Sequence, residues 1–454
     1  MVGRQKGRDE APRRSRYGRS IARLRSVSMG AFPLWRSRLL FLAGGIGVGL
    51  AAVGMAKGAD LAQEGFKALT APSPLIALLL TPAGFALAAL LARTVFPNSQ
   101  GSGIPQVIAA RHARDDGFRK GLISLRVGVG KVLVLFLGLL CGASAGREGP
   151  TVQVGAVIMA AFGRLTPDRL PGLLLAGGAA GVAAAFNTPL AGIVFGIEEL
   201  GRAYEARSSG LIVAGIVAAG LTSLGLMGNY TYFGTTPADM PLATAWIVPV
   251  VAVAGGLAGG VFSRLVILFA RGLPGRLGRL VAARPILFAA ACGLAVALCG
   301  LASGGSVYGT GYEEARAILH GDAPASPLFA PLKFLATVLS SVSGIPGGLF
   351  APSLAVGAGL GGVMHPLVPA APVGAMVLLG MVAYLTGVLQ APITSFVIVT
   401  EMTQNHALMI PLMVAALVAD AASKAVCRSG LYHTLAEIML ERADVPGQPV
   451  ARTG

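Results

Sequence analysis

Apolar runs follow one another along the chain from residue 39 to residue 422, separated by glycine, proline and short polar segments. Hydrophobic residues make up 54% of the 454-residue sequence and charged residues only 12%. This composition predicts an all-α, polytopic membrane protein. Several runs are well short of the roughly 20 residues that cross a bilayer, which favours broken, partly re-entrant helices around a midplane site. The runs are Leu39–Ala56, Pro74–Ala92 (interrupted by Pro82), Val127–Gly142, Leu170–Ala185, Leu190–Ile197, Leu211–Met227, Trp246–Ala270, Ile286–Leu301, Leu332–Val342, Leu349–Met364, Val373–Leu389, Ile393–Thr400 and Met409–Ala422.

The charged ends of the chain lie outside these runs. Residues 1–38 are rich in arginine, with Asp9 and Glu10 as their only acidic residues, and no cleavable apolar signal follows closely. We interpret them as a disordered basic tail, cytoplasmic by the positive-inside rule, for which contact with anionic membrane lipid stays open. The net charge of +16 lies in tails and loops, among them a basic interhelical loop predicted over Leu273–Arg284, rather than on one folded face, so we expect no nucleic-acid partner.

The two halves of the apolar region share motifs at a nearly constant offset. The matching pairs are Pro150–Ala156 with Pro352–Ala358, Asn187–Pro189 with Gln390–Pro392, Glu198 with Glu401 and, more weakly, Gly101–Gly103 with Gly309–Gly311. An internal duplication is typical of a transporter whose binding site lies between the repeats. The matches alone leave open whether the repeats are parallel or inverted. We therefore predict a first transmembrane repeat over 39–227, a second over 228–440, and a short C-terminal tail over 441–454 with no room for a sizeable regulatory domain.

An arginine and a glutamate occur together at membrane depth in Gly146-Arg147-Glu148-Gly149-Pro150, which follows an apolar run. An ionisable residue there marks a functional site by default. The glycines permit close approach of the backbone and Pro150 suits the first helical position, so we expect a loop that leads into a helix. Free N–H groups at that helix end form an anion site, and Glu148 at its mouth can occupy the site when charged. The alternative is a capped helix start with a solvated Glu148.

Two other loops have the same pattern of glycine followed by proline. In Gly101–Pro105, Ser102 can donate a hydrogen bond to an anion without carrying charge, although on the motif alone an ordinary N-cap serine is the more usual interpretation. In Gly344–Pro352, the residues Leu349 and Phe350 stand where the first repeat has its charges, and their backbone N–H groups can face the same anion. Phe350 as an ordinary packing residue is an equal alternative.

Four further polar residues lie at the ends of apolar runs or within them. The repeat partner of Glu198 is Glu401, which favours a structural role for Glu198 and leaves Glu199 as the specialised carboxylate, unless both lie in interfacial water at a helix end. Tyr432 follows the last long apolar run, and its hydroxyl is either a neutral donor or part of an interfacial aromatic belt. Lys131 either raises the local positive potential or extends to the interface.

The cysteine and histidine pattern bears on enzymatic and metal chemistry. The four cysteines have no CxxC spacing, and the five histidines are scattered without a His-Glu-x-x-His motif. No nucleophile–base pair is recognisable on facing apolar segments. We therefore expect no metal, no cofactor and no enzymatic activity.

Four motifs together, in this order and spacing, resemble the CLC family of chloride channels and chloride/proton antiporters over residues 38 to 440. The motifs are Gly101-Ser-Gly-Ile-Pro105, Gly146-Arg-Glu-Gly-Pro150, Gly348-Leu-Phe-Ala-Pro352 and the late Tyr432. The resemblance implies two inverted repeats of about eighteen tilted helices. It also implies a homodimer with one pore per subunit. The tail domains of many eukaryotic members are absent, which favours a prokaryotic-type protein of a bacterial inner membrane.

The resemblance also implies roles for individual residues. Ser102 and Tyr432 would donate hydroxyls to a chloride ion, together with the backbone N–H groups of Leu349 and Phe350. Glu148 would be the gating glutamate and Glu199 the internal proton-transfer glutamate. Gln106, where many members have Glu, lies outside the chloride-contacting set.

Chloride/proton antiport is therefore the predicted function. An acidic residue at Glu199 favours antiport, since channels of the family generally lack it, and Ser102 favours chloride over nitrate. A passive chloride channel of the same fold stays the alternative, because it would share every anion-binding residue. A fluoride-selective transporter is less favoured, given Ser102.

Overall fold

The computed structural model describes residues 16–164, 166, 169–201, 209–228 and 231–444. Within these ranges the chain forms 19 α-helices and no β-strand longer than an isolated bridge. The helices of the first half are α1 (Arg16–Thr70), α2 (Ala77–Thr94), α3 (Ile104–His112), α4 (Asp116–Leu122), α5 (Leu125–Leu140), α6 (Glu148–Gly163), α7 (Leu170–Phe186), α8 (Pro189–Phe195) and α9 (Ser209–Met227). Those of the second half are α10 (Ile247–Arg271), α11 (Gly275–Ala283), α12 (Pro285–Ala302), α13 (Tyr312–His320), α14 (Phe329–Val342), α15 (Phe350–Met364), α16 (Val373–Leu389), α17 (Pro392–Thr403), α18 (Met409–Val426) and α19 (Leu431–Asp444).

Long and short apolar helices are combined, as the sequence predicts. Among the described residues, seven segments are long and apolar enough to cross a membrane: Trp35–Thr70, Pro74–Thr94, Asp116–Leu140, Gly210–Met227, Ile247–Arg271, Pro285–Ala302 and Met409–Val426. The helices α7 and α16 are shorter and are buried along almost their whole length. They form the centre of the molecule, while the long helices present apolar side chains such as Leu79 and Ile410 outward.

The repeats are inverted. The equivalent helices α2 and α12 have the same length and pack against each other. Helix α2 begins beside one large cavity, to which Pro74 and Ala77 contribute, whereas α12 ends there with Gly300 and Leu301. Equivalent helices therefore run in opposite directions, which resolves the question that the sequence matches leave open.

Close glycine contacts hold α6, which starts at the Glu148 loop, and the same type of contact holds α15, its counterpart in the second repeat. A Cβ on Gly155 of α6 would lie 2.2 Å from the carbonyl oxygen of Gly177 in α7. The equivalent Gly357 of α15 would place a Cβ 2.5 Å from the carbonyl oxygen of Gly380 in α16. Backbones at this separation admit only hydrogen as a side chain, so these contacts fix the position of α6 and α15.

Three local predictions differ from the structure. Helix α1 begins at Arg16, inside the segment 1–38 that was interpreted as a disordered tail. Residues 1–15 of that segment and residues 445–454 of the predicted C-terminal tail lie outside the described part of the chain. The segment Leu273–Arg284, predicted as a basic loop, contains α11, because apolar residues recur there at helical spacing between its arginines. Pro82 does not interrupt α2, since it removes one hydrogen bond in a turn that packs closely against Gly293 of α12.

Candidate anion site

Three loops that each lead into a helix meet at one point inside the protein. Gly146 and Gly348 exchange backbone hydrogen bonds, with N···O distances of 2.8 and 2.7 Å. The Gly101 N–H donates to the Ile345 carbonyl at 3.1 Å, and the Gly347 N–H donates to the Gly101 carbonyl at 3.2 Å. The starts of α3, α6 and α15 are thereby held together, so that their unpaired N–H groups and positive dipole ends face a common region.

Ser102 lies over the start of α6. A Cβ on Gly149 would come within 2.4 Å of the Ser102 Oγ, and the Gly348 Cα is also close to that position. The serine is 7% exposed, and its hydroxyl has no hydrogen-bond partner among the described residues. The next residue, Gly103, has φ 100°, which favours glycine and lets the loop turn sharply into α3. An N-cap role is excluded, because Gly103 is the N-cap of α3 and Ser102 does not cap it.

Glu148 is the first residue of α6 and is fully buried. The helix begins there rather than at Pro150, so the predicted helix start is two residues too late. A Cβ on Gly146 would meet the Glu148 Oε2 at 2.2 Å and the Pro352 Cδ at 3.2 Å, which places the carboxyl against the start of α15. Neither oxygen has a hydrogen bond of normal geometry within the described chain. The alternative of a solvated glutamate is wrong, since the side chain lies between two helix N-termini.

Phe350 and Tyr432 form the wall of the site opposite this carboxyl. Their rings stack with centroids 6.5 Å apart, and Phe350 also packs edge-on against Phe186 and Phe195. Tyr432 is fully buried, so it is no interfacial belt residue, and its hydroxyl has no regular hydrogen bond among the described residues. That hydroxyl faces Ser102, and the carboxyls of Glu199 and Glu148 act on it electrostatically.

The first residues of α15 complete the set. Leu349 is the N-cap residue and Phe350 the first helical residue, and both side chains are buried. A backbone N–H in this position has no intrahelical partner. The structure therefore brings together five of the six residues that the sequence singles out: Ser102, Glu148, Leu349, Phe350 and Tyr432. Buried donors that lack partners are rare in folded proteins, and here they cluster in apolar surroundings, which suits a desolvated anion.

Glu199, the sixth residue, lies close enough to Tyr432 to act on it electrostatically and contacts the next residue, His433. It is in a π-helical turn, Gly196–Gly201, that continues α8, and it is only 3% exposed. The His433 Nε2 is 3.8 Å from its Oε1. A π-helical turn is rare and occurs frequently at functional sites.

Glu198 has a different environment from its neighbour. Its carboxylate accepts from the N–H groups of Ile393 and Thr394, at 3.1 and 2.6 Å, and so caps α17. Glu401 does the same for α8, with bonds from the N–H groups of Leu190 and Ala191 at 3.1 and 2.8 Å. This reciprocal pair agrees with the structural role expected for Glu198.

Two buried lysines support the loops, and the sequence analysis recognises only one of them. Lys131 is fully buried, so it does not extend to the interface, and its Nζ donates to the carbonyls of Gln100 and Gly101 at 3.1 and 2.8 Å. Lys333 donates in the same way to the carbonyls of Val307 and Gly309, at 2.9 and 2.8 Å. The repeat offset that relates Glu148 to Phe350 also relates these lysines, and would have identified Lys333.

A cavity of about 800 Å³ opens on the Glu148 side of the site. Its wall includes Asp60, Glu64, Arg147, Glu313 and Glu314. The Arg147 guanidinium donates to the Ala56 carbonyl and to the Asp60 carboxylate, at 2.7 and 2.9 Å. Because Arg147 directly precedes Glu148, the buried carboxyl is one residue away from an aqueous vestibule. Within the described residues, no group of three or more His, Cys, Asp or Glu side chains is arranged to hold a metal ion.

Helix starts that converge on unpaired donors inside an apolar, multi-spanning protein define an anion-transport protein. The family model described as voltage-gated chloride channel matches residues 84–424. The chain therefore belongs to the CLC family.

Similar curated proteins include two that are named H(+)/Cl(-) exchange transporter ClcA. The one from Yersinia pestis bv. Antiqua (strain Angola) is 31% identical over 455 aligned residues, which cover 91% of each chain. The one from Salmonella paratyphi A is 31% identical over 402 residues, which cover 81% of each chain.

Similar solved structures share the fold. A slow cyanobacterial Cl⁻/H⁺ antiporter superimposes with a TM-score of 0.77 at 25% identity, over 90% of this chain and 99% of that chain. A CLC-type fluoride/proton antiporter superimposes with a TM-score of 0.73 at 23% identity, over 87% of this chain and 97% of that chain. These superpositions agree with the CLC-type fold that the sequence predicts.

Proposed function

We propose that this protein exchanges chloride for protons across a bacterial inner membrane, with Glu148 as the gate. The observation that carries the proposal is that the buried Ser102 and Tyr432 hydroxyls face each other, without regular hydrogen bonds to the rest of the described chain, beside the buried Glu148 carboxyl at two helix starts. The curated relatives that are named chloride/proton exchangers support the same function.

Chloride binds in this proposal to neutral donors only. The hydroxyls of Ser102 and Tyr432 and the N–H groups of Leu349 and Phe350 replace its hydration shell, and the dipoles of the helices that start here add a positive potential. No cationic side chain touches the ion, so binding is weak enough for release. The loop hydrogen bonds that join Gly146 to Gly348 hold these donors in place before the ion arrives.

Glu148 acts as a competing anion. When it is ionised, its carboxylate lies at the helix starts and blocks the path between the site and the Arg147 vestibule. When it is protonated, it loses its attraction for the positive helix ends and leaves the path, so that proton uptake admits chloride. A carboxylate buried without hydrogen bonds is costly, and protonation or displacement by chloride relieves that cost.

Glu199 carries the proton on the opposite side. It is buried behind Tyr432, outside the row of donors that contact chloride, so protons and anions reach Glu148 by separate routes. A passive channel needs no buried acid at this point. Glu199 therefore favours the exchanger over the channel alternative.

The charge distribution supports an orientation. The ends of α3 and α10 both pack against α19 and carry Arg111, His112 and Arg271, and the arginine-rich α11 follows α10 directly. The opposite vestibule carries mainly carboxylates. By the positive-inside rule, the Glu199 side faces the cytoplasm and the Glu148 side faces away from it.

A homodimer is part of the proposal. The neighbouring helices α8, α9, α17 and α18 expose Leu190, Leu221, Ile393 and Leu417 on one side of the molecule. Equivalent helices of both repeats contribute to this apolar face, which suits a two-fold contact between two copies, each with its own pore. Membrane lipid covers the other apolar faces.

The test is a reversal-potential measurement on purified protein in liposomes under combined chloride and proton gradients. An exchanger drives protons uphill when only a chloride gradient is present. A reversal potential that follows chloride alone would instead establish the channel, and liposomes that stay impermeable to chloride would refute both functions.

A further inference from the structure

His433 lies where the chloride site and the buried acid meet. It follows Tyr432 in the first turn of α19, and its Nε2 is 3.8 Å from the Oε1 of Glu199. The histidine side chain is 14% exposed, whereas the Glu199 side chain is 4% exposed. The titratable ring is therefore more accessible to water than the buried carboxyl that it faces.

The neighbouring charged groups have other contacts. The Glu198 carboxylate caps α17. The Arg111 guanidinium donates to the Leu200 carbonyl, which fixes the end of α3 to the π-helical turn that carries Glu199. This contact holds the turn against α3, and α3 also packs against α19. The separation of His433 and Glu199 is thus set by a packed framework of three elements.

We propose that His433 is the proton relay between Glu199 and cytoplasmic water. The proposal rests on the role proposed above for Glu199 as the internal proton-transfer group. Imidazole suits the task because it is the side chain whose ordinary titration falls between about pH 5 and 8. Its position next to Tyr432 ties the relay to the residue that binds chloride.

The transfer conserves atoms and charge without a further reactant. The protonated imidazole gives the proton on Nε2 to the Glu199 carboxylate, which leaves a neutral imidazole and a carboxylic acid. The ring then rotates so that Nε2 reaches cytoplasmic water and takes a proton there, and the reverse sequence returns protons to that side. The distance of 3.8 Å exceeds the 2.6–3.2 Å range of direct transfer, so one bridging water or a small rotation of the ring completes the path.

Other titratable groups surround α19, and a pH profile must be interpreted with them in view. Helix α16 contributes no charged residue. The charged or titratable groups of the packed elements are Glu198 and Glu199 in the π-helical turn, Arg111 and His112 on α3, Arg264 and Arg271 on α10, Tyr384 on α16, and Tyr432, Glu437, Glu441, Arg442 and Asp444 on α19 itself.

The experiment measures coupled exchange in liposomes for His433→Asn and for the control His112→Asn. His112 is exposed at the end of α3, where its Nδ1 bonds to the Ile108 carbonyl, so the control makes the same chemical change on the same side of the protein. We expect the coupled rate of His433→Asn to fall by about tenfold or more, as is typical when a proton-transfer group is lost. The dependence of the rate on cytoplasmic-side pH should flatten between about pH 5 and 8, whereas the control keeps the wild-type profile.

A second background separates proton relay from a structural effect on Tyr432. Glu148→Ala is expected to carry chloride without proton transfer, so adding His433→Asn to it should leave the chloride rate as it is in Glu148→Ala alone. A drop of the chloride rate in that background would mean that His433 holds the tyrosine in place, and the relay inference would be wrong. The same conclusion follows if His433→Asn matches His112→Asn in rate and pH profile.

Glu199→Gln is measured in the same assay. If this variant still pumps protons, the proposed function of Glu199 fails, and the relay fails with it. If Glu199→Gln loses proton transport while His433→Asn behaves as the control, only the relay is refuted.

Discussion

The two repeats have the same backbone arrangement around the anion site and different side chains on it. Gly146-Arg147-Glu148 in the first repeat stands where the second has Gly348-Leu349-Phe350, and the two glycines pair directly. Close glycine contacts hold α6 against α7 and α15 against α16 in the same way. The comparison shows that both repeats supply converging helix starts, whereas the carboxyl proposed as the gate is present in the first repeat only.

The supporting residues follow the same division. Lys131 and Lys333 each donate to two loop carbonyls, and Glu198 and Glu401 cap each other's repeat. These pairs are symmetric because they build the frame, that is, the loops and helices of both repeats that surround the anion site. The second repeat has Thr310, Phe350 and Met402 where the first has Ser102, Glu148 and Glu199, and the Thr310 hydroxyl bonds to the Gln63 side chain. Substitutions at equivalent positions of the two repeats therefore distinguish residues that support this frame from residues that take part in transport.

The largest expected difference is between Glu148 and Phe350. Glu148→Ala removes the competing carboxylate, so proton coupling should be abolished while chloride flux continues. Phe350→Leu, at the equivalent position, keeps the backbone N–H groups that face the ion and should keep coupling. Proton and chloride fluxes measured together in liposomes test both variants. Full proton pumping by Glu148→Ala would end the assignment of the gate to the first repeat.

The second prediction compares the adjacent glutamates Glu199 and Glu198. Glu199→Gln cannot carry a proton, so uphill proton movement should be lost while chloride still passes. Glu198→Gln should retain the wild-type ratio of protons to chloride, because Glu198 bonds to backbone N–H groups of α17. Proton flux driven by a chloride gradient measures both. Loss of coupling in Glu198→Gln alone would exchange the two assignments.

The third prediction compares the hydroxyls of Ser102 and Thr310. A hydrogen bond to an ion contributes about 1.5–3 kcal/mol, so Ser102→Ala should weaken chloride binding by about tenfold or more. Thr310→Ala should leave the affinity unchanged, because Thr310 contacts the Gln63 side chain rather than the site. Calorimetric titration of chloride into detergent-solubilised protein measures both affinities. Equal losses in the two variants would place the ion elsewhere.

Much of the frame was predictable from local sequence. Val373–Leu389 is an uninterrupted apolar run, and α16 has those bounds. The glycine-proline loops were recognisable because single residues indicate them: glycine favours a positive φ, and proline favours the first position of a helix. Short helices with mixed polarity were missed, namely α4, α11, α13 and α19, because their stability comes from packing against other elements rather than from an apolar run.

The assembly of the site depends on contacts that no local pattern contains. Ser102 and Tyr432 are far apart in sequence, and only the packing of α19 on α3 brings the two hydroxyls together. The contact of His433 with Glu199 has the same origin, so sequence reasoning gave no reason to select that histidine. The resemblance to a family suggested the roles of the site residues, whereas the structure shows which residues lie next to them.

The smallest predicted effect concerns the reciprocal caps. Glu198→Gln and Glu401→Gln each replace a charged cap at a helix start with a neutral one, which should lower stability by about 0.5–2 kcal/mol. Because the two contacts are equivalent, the losses should be similar, and thermal unfolding in detergent measures them. Glu437→Gln, on an exposed position of α19, is the control and should change little. A loss of stability in only one of the two variants would mean that the two caps have the same geometry but do not contribute equally to stability.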